Sequence, residues 1–247
     1  MPDRQIEELR AARSRVLERI ADACARAGRD PAEVTLVAVS KTVPPARLRD
    51  AVAAGIDLLG ENRVQEALAK IPEVPGARWH LVGPLQSNKA RRALEAFELI
   101  ETVGSVELAE RLDRLAPELE RDRVPVLLQV NVDLDPSKAG FQPDDLPRAL
   151  DALAGLRRLE VRGLMTIGRQ VDRPEDARST FAGLRELAVS LRAASAGLGT
   201  ELSMGMTDDF PIAIEEGATI VRVGRALFGE RPHDHGAGDH GGEGHRH

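Results

Sequence analysis

Tyrosine is missing from this chain of 247 residues, and aromatic residues of all kinds make up only 2% of it. Proteins that grip single-stranded nucleic acid stack its bases on such rings, so that class is excluded. An excess of positive charge is missing too. The formal net charge is −6, the wrong sign for a general nucleic-acid binder. The single cysteine, Cys24, cannot close an internal disulfide. It sits among alanines in a helical pattern, as a small packing residue would, and the chain is expected in the cytoplasm. No apolar run reaches the length of a bilayer span, and the charged start, Met1-Pro-Asp-Arg-Gln-Ile-Glu-Glu8, is unlike a signal peptide. Nor is there a Walker-type loop, a His-Glu-x-x-His pair, a paired-cysteine zinc spacing, or a Gly-x-Gly-x-x-Gly turn after the first strand-like run.

What is present is an ordinary soluble balance, 42% hydrophobic and 30% charged, enough for a sizeable core. Apolar positions Ile6, Leu9, Val16, Leu17 and Ile20 predict a helix over residues 3–28, ended by Gly28. An alternation follows. Strands are expected at Val34–Ser40, Asp57–Gly60, Arg78–Val82, Leu99–Val103, Val124–Val132, Leu159–Ile167, Glu201–Met204 and Thr219–Val223. Between them fall helical patterns at Ala46–Ala54, Arg63–Lys70, Lys89–Ala96, Val106–Leu115, Leu146–Leu153, Glu175–Ala196 and Phe210–Glu216. About eight strand–helix units in some 200 residues fit a single (β/α)8 TIM barrel with an extra N-terminal helix; the rival is an open doubly wound sheet. No linker divides the chain, so residues 1–231 are expected to form one domain. Residues 232–247 hold five of the six histidines, with many glycines and no branched apolar residue. That composition predicts a disordered His-rich tail with no fixed metal geometry.

The chemistry starts at Lys41. It stands where the first strand runs out, before Pro44-Pro45 turns the chain into a helix. An amine at the carboxyl end of a buried strand is where α/β proteins place chemistry, although a solvated lysine would look the same. An unprotonated amine attacks an aldehyde, and pyridoxal phosphate is the common aldehyde cofactor held in this way. Such a cofactor needs a phosphate cradle and a partner for its ring nitrogen.

Two late segments suit the phosphate. In Leu202-Ser-Met-Gly-Met-Thr-Asp-Asp-Phe210, Ser203 and Thr207 offer hydroxyls, Gly205 lets the backbone approach closely, and Thr207-Asp208-Asp209 reads as a helix start. In Val221-Arg-Val-Gly-Arg-Ala-Leu-Phe-Gly229, Gly224 follows a strand and opens a further helical turn. Successive strand ends of this kind resemble the phosphate site of many barrels. Arg222 lies in the last strand on the face opposite Val221 and Val223. Buried there, its guanidinium needs a partner: a pyridine nitrogen, or an acid such as Glu201 or Glu215. Asn62, after the second strand, is placed to contact a cofactor or cap a helix. His80 is the one histidine outside the tail, and both a satisfied core residue and a catalyst remain open readings. Ser137-Lys-Ala-Gly140 and Gly163-Leu-Met165 also reach mouth positions, with Met165 read as packing.

Taken together, Val39-Ser-Lys41, Gly60-Glu-Asn-Arg-Val-Gln-Glu66, Trp79-His-Leu-Val-Gly83 with Leu85-Gln-Ser-Asn-Lys89, Ser137-Lys-Ala-Gly140, Gly163-Leu-Met165, Leu202–Phe210 and Val221-Arg-Val-Gly224 with Leu227-Phe-Gly229 resemble the YggS/PROSC family of pyridoxal phosphate homeostasis proteins. The resemblance runs in order from about residue 34 to 231. It implies a barrel like the cofactor domain of alanine racemase, with Lys41 as the imine lysine. Ser203, Thr207, Gly224 and Arg225 match phosphate-contacting positions, Arg222 the arginine facing the ring nitrogen, and Asn62 a polar position near the cofactor. Thr207 replaces a commoner serine. Arg225 replaces a small hydroxyl residue, so its backbone amide suits phosphate while the role of its side chain stays open.

The expected function is a carrier or buffer of pyridoxal 5'-phosphate and related B6 vitamers, with no catalytic reaction of its own. It is expected to be monomeric and to serve pyridoxal-phosphate-dependent apoenzymes, without membrane or nucleic-acid partners. One alternative is an amino-acid racemase of reduced architecture, for which His80 or Lys138 would have to be the second base. The other is a sugar-phosphate enzyme with an aldolase-type Lys41.

Overall fold

The computed structural model describes residues 2–169, 171–195 and 197–229. The His-rich tail expected at 232–247 lies outside the described residues. The chain opens with a long helix, α1 (Pro2–Ala27). Its buried stripe is Leu9, Ala12, Val16, Ile20, Ala23 and Cys24, the three-four spacing of one helix face. Leu17, read as part of that stripe, falls outside it and is 36% exposed. The helix ends where the sequence places its stop. Gly28 takes φ 65°, and Gly28 N and Arg29 N donate back to Ala25 O and Cys24 O at 3.3 and 2.9 Å.

Eight parallel strands follow: β1 (Thr35–Val39), β2 (Leu58–Glu61), β3 (Arg78–Leu81), β4 (Leu99–Val103), β5 (Val124–Gln129), β6 (Leu159–Met165), β7 (Glu201–Ser203) and β8 (Ile220–Val223). They pair in sequence order, and β8 pairs with β1, so the sheet closes into a barrel and the open-sheet rival is set aside. The connecting helices are α2 (Pro45–Ala53), α3 (Val64–Lys70), α4 (Ala90–Ala96), α5 (Val106–Leu115), α6 (Leu146–Leu153), α7 (Arg178–Ala194), α8 (Phe210–Glu215) and the single turn α9 (Arg225–Phe228). Because α9 is so short, α1 covers that flank, packing against α8, α9 and α2.

Strand alternation splits the core in two. Outward side chains such as Ala38, Leu59, Leu81, Leu128, Val221 and Val223 meet the helices in the main cluster. Inward ones, Val37, Leu58, Val82, Leu99, Leu127, Met165 and Ile220, fill the barrel. Met165 is fully buried there, as its packing role requires. The expected strands at 124–132, 159–167 and 201–204 each end earlier, at Gln129, Met165 and Ser203. Apolar character runs past the ladder because the mouth loops are themselves packed. Among the described residues no helix is long and apolar enough to cross a membrane.

Candidate functional site at the barrel mouth

All strands run the same way, so every strand end opens on one mouth, and β7, β8, β1 and β2 are consecutive neighbours around it. Lys41 follows β1 and is partly buried. It lies in a turn closed by Val43 N donating to Ser40 O at 3.0 Å. Beneath that turn is a buried group with no role assigned from sequence. Lys70 of α3 donates to Glu61 Oε1 at 2.6 Å and to Ser40 O at 2.9 Å, while Ser40 Oγ donates to the same Glu61 oxygen at 2.7 Å. Asn62 follows β2, also partly buried, and its Oδ1 is buried with no hydrogen-bond partner among the described residues. An orphaned acceptor at a mouth is what a polar ligand would satisfy.

The loop from β7 to α8 is built tightly. Met206 O accepts from Asp209 N and Phe210 N at 3.2 and 2.8 Å, and Met206 N donates to Asp209 Oδ1 at 2.6 Å. Burial pushes the Asp209 carboxyl above its ordinary range, against the pull of the Met206 amide and Arg222. Gly205, at φ 90°, is required: a Cβ there would come within 2.6 Å of Ala213 Cβ and 2.8 Å of Phe210 Cα. Residues 207–209, expected to begin the helix, form a turn instead, and α8 starts at Phe210 because Asp209 bonds backward into the loop. Thr207 stands in that turn, partly buried. At the adjacent strand end, Gly224 caps α9, whose first amides, those of Arg225 and Ala226, lack intrahelical acceptors by geometry. The Arg225 side chain answers the question left by its sequence. It is exposed and grips the Asp208 carboxylate of the neighbouring loop at 2.6 Å, tying the two loops together.

Arg222 points into the barrel and is 4% exposed. It donates to Ser203 Oγ at 2.6 Å and to Thr166 O at 2.8 Å. Ser203 Oγ in turn donates to Glu101 Oε2 at 2.5 Å, and Glu101 Oε1 meets His80 Nδ1 at 2.8 Å. Burial lowers the guanidinium pKa, and the Glu101 and Asp209 carboxylates oppose that shift. One expectation is corrected here. The acids suggested as partners of Arg222 are engaged elsewhere: Glu201 pairs with Arg162, and Glu215 with Arg26 and Arg178. The Ser203 hydroxyl donates to Glu101 and accepts from Arg222, so here its side chain anchors the guanidinium. The two carboxylates that sequence reasoning left without a role, Glu61 and Glu101, had one visible signal. Glu101 is an acid in the middle of an expected buried strand, and Glu61 directly follows one; burial of either demands a partner.

Across the mouth, a cavity of ≈ 200 Å³ is lined by Gln129, Asn131, Ser137, Lys138 and Ile167. Lys138 Nζ donates to Ile167 O at 3.1 Å and lies 3.7 Å from Asp133 and 3.9 Å from Asp135. Lys41, Asn62, Thr207, Arg222, Gly224 and Arg225 therefore share one arc of four strand ends. An amine, a buried cation, an orphaned acceptor and two amide-bearing loops suit a phosphorylated aldehyde with a ring nitrogen.

Fold and site together define a barrel of the alanine racemase type, and the family described as "Alanine racemase, N-terminal domain" matches residues 13–232. Relatives named pyridoxal phosphate homeostasis protein include one from Pseudomonas aeruginosa, 46% identical over 91% of this chain and 95% of its own length. Another, from Escherichia coli strain K12, is 41% identical over 88% and 94%. The chain belongs to the family of pyridoxal phosphate homeostasis proteins. PipY from Synechococcus elongatus, a COG0325 family member, has a structure with PLP bound; it is 46% identical, with a TM-score of 0.75 over 87% of this chain and all of that one. Alanine racemase from Corynebacterium glutamicum shares the fold alone, at 18% identity and TM-score 0.68, over 92% of this chain and 62% of the enzyme.

Proposed function

We propose that this chain holds pyridoxal 5'-phosphate through Lys41, buffering and passing on the cofactor and related B6 vitamers within the cytoplasm, without catalysing a reaction of its own. The observation that carries the reading is the position of Lys41 just past β1, between the ends of β8 and β2, with Asn62 following β2 and Gly224 following β8, and with Arg222 deeper in the barrel, level with Val37. The cofactor would supply an aldehyde, and Lys41 would hold it through its side-chain nitrogen, with loss of water. Arg222 would face the ring nitrogen. Thr207 and the start of α9, with Gly224 as its cap and Arg225 as its first residue, would hold the phosphate, and Asn62 would meet a polar ring substituent.

A non-catalytic role is favoured by two features. A guanidinium donating to the ring nitrogen leaves that nitrogen unprotonated and the ring a weak electron sink. The candidate second bases are committed, His80 to buried Glu101 and Lys138 to Ile167 O. Residues 1–231 act as one binding domain and as a monomer, and pyridoxal-phosphate-dependent apoenzymes are the recipients.

Borohydride reduction of the loaded protein followed by peptide mass analysis should place a pyridoxyl adduct on Lys41. A preparation that stays colourless after incubation with pyridoxal phosphate, or an adduct elsewhere, would overturn the assignment. Exchange of α-hydrogens into deuterated solvent across a panel of amino acids should not exceed that given by free cofactor; exchange above it would restore the racemase.

A further inference from the structure

The turn that carries Lys41 is strained at the next residue. Ser40, Lys41, Thr42 and Val43 form a four-residue turn with Val43 N on Ser40 O, and Thr42, in its third position, has φ 65°. Glycine takes that position in turns of this kind, because a Cβ, and above all a branched one, crowds the backbone there. Thr42 is exposed, so the core gains nothing from its side chain.

Strained conformations persist only where the surroundings over-determine them, and they gather at functional sites. Here the surroundings are visible. Ser40 is fully buried, and its amide donates to Gly60 O at 2.9 Å. Its carbonyl accepts from both Val43 N and Lys70 Nζ, and its hydroxyl donates to Glu61, which has no exposure at all. A buried ion pair such as Lys70–Glu61 is a weak source of net stability, since desolvation cancels most of its attraction. Both of its partners converge on the residue before Lys41. On the far side, Pro44 and Pro45 fix the backbone as it enters α2. The Lys41–Thr42 peptide is thus clamped at both ends in a shape its sequence resists.

We propose that Thr42 is a positioning residue: its Cβ, forced into the left-handed region over the Ser40–Glu61–Lys70 base, confines the turn and aims Lys41 at the aldehyde carbon. The proposal rests on the reading that Lys41 carries the cofactor, and the test separates the two. Thr42→Gly removes the crowding and widens the range of backbone shapes open to the turn. Thr42→Ala keeps a Cβ and loses only the hydroxyl and methyl.

Cofactor-free Thr42→Gly should melt no lower than the parent, yet bind pyridoxal phosphate more weakly by about fivefold or more, with slower growth of the visible imine absorption. Thr42→Ala should stay close to the parent in both affinity and absorption. Equal affinity in parent and Thr42→Gly overturns the proposal while leaving the Lys41 assignment standing. Equal losses in both variants also overturn it, by assigning a contact to the hydroxyl. A sharp fall in the melting temperature of Thr42→Gly shows that no strain was relieved. A parent whose Lys41 carries no pyridoxyl group after reduction overturns the reading and the proposal with it.

Discussion

Arg222 shows how a single side chain ties binding to stability. Its charge sits wholly inside the barrel, balanced through Ser203 by Glu101, which has no exposure of its own. Removing one member of a buried charged set leaves the other unpaired and costs about 3–5 kcal/mol. Arg222→Ala should therefore lower the unfolding free energy measured in urea by that order and weaken cofactor retention, while borohydride still labels Lys41. Unchanged retention would mean that the guanidinium serves the Glu101 chain alone. Lys41→Ala should behave oppositely. A partly buried mouth residue contributes little packing, so cooperative unfolding should persist within about 0.5 kcal/mol of the parent while covalent capture disappears. Loss of a single sharp transition in that variant would argue against its placement at the mouth.

At the scale of elements, α8 is pinned by charge. Arg178 at the start of α7 bonds Glu215 and Glu216 at 2.7 Å each, Arg26 of α1 bonds Glu215 at 2.7 Å, and Arg185 reaches Glu216. The Arg178 hydrogen bond holds the Glu215 carboxyl below its ordinary value of 4.5, with burial pulling the other way and Arg26 helping. In the folded state Glu215 therefore takes up its proton at lower pH than when unfolded. The stability it contributes is complete above about pH 4.5 and is lost as pH falls through the folded value. Urea midpoints measured from neutral pH into acid should fall less steeply for Arg178→Ala than for the parent; identical slopes would remove Glu215 from the acid response. These pairs also mark the limit of what a sequence reveals. Val106–Leu115 and Leu146–Leu153 were readable to the residue because apolar spacing is local. The eight units and Lys41, Arg222 and Gly224 at strand ends followed from the same periodicity. The partners of Arg222 did not. They depend on which side chains face each other across β3, β4, β7 and β8, a matter of register and closure that no local pattern contains. For the same reason the Lys70–Glu61 pair and the Arg225–Asp208 clasp were not foreseen.

For the whole molecule, closure places the greatest demand on α1. The strand-to-strand ladder is complete without it, but the helical layer beside the one-turn α9 is filled by α1, which packs against α8, α9 and α2. Leu9, Val16 and Ile20 are each at most 2% exposed, and Ala23 and Cys24 are fully buried beside them. At roughly 1.5–3 kcal/mol for each large side chain, the three together supply on the order of 5–9 kcal/mol, a sum comparable with the whole net stability of a domain. The helix also touches the candidate site from behind: Arg19 donates to Thr207 O at 3.3 Å and lies 4.3 Å over the ring of buried Phe210. Ile20→Ala should then cost about 2–5 kcal/mol in urea unfolding, and a chain begun after residue 28 should lose cooperative folding altogether. Arg19→Ala separates the second role from the first, since an exposed arginine contributes little to stability. It should leave the urea midpoint nearly unchanged and raise the Kd for pyridoxal phosphate by a few fold, through loosening of the Thr207 turn. If the truncated chain folds cooperatively and binds as the parent does, α1 is an appendage, and the barrel alone suffices.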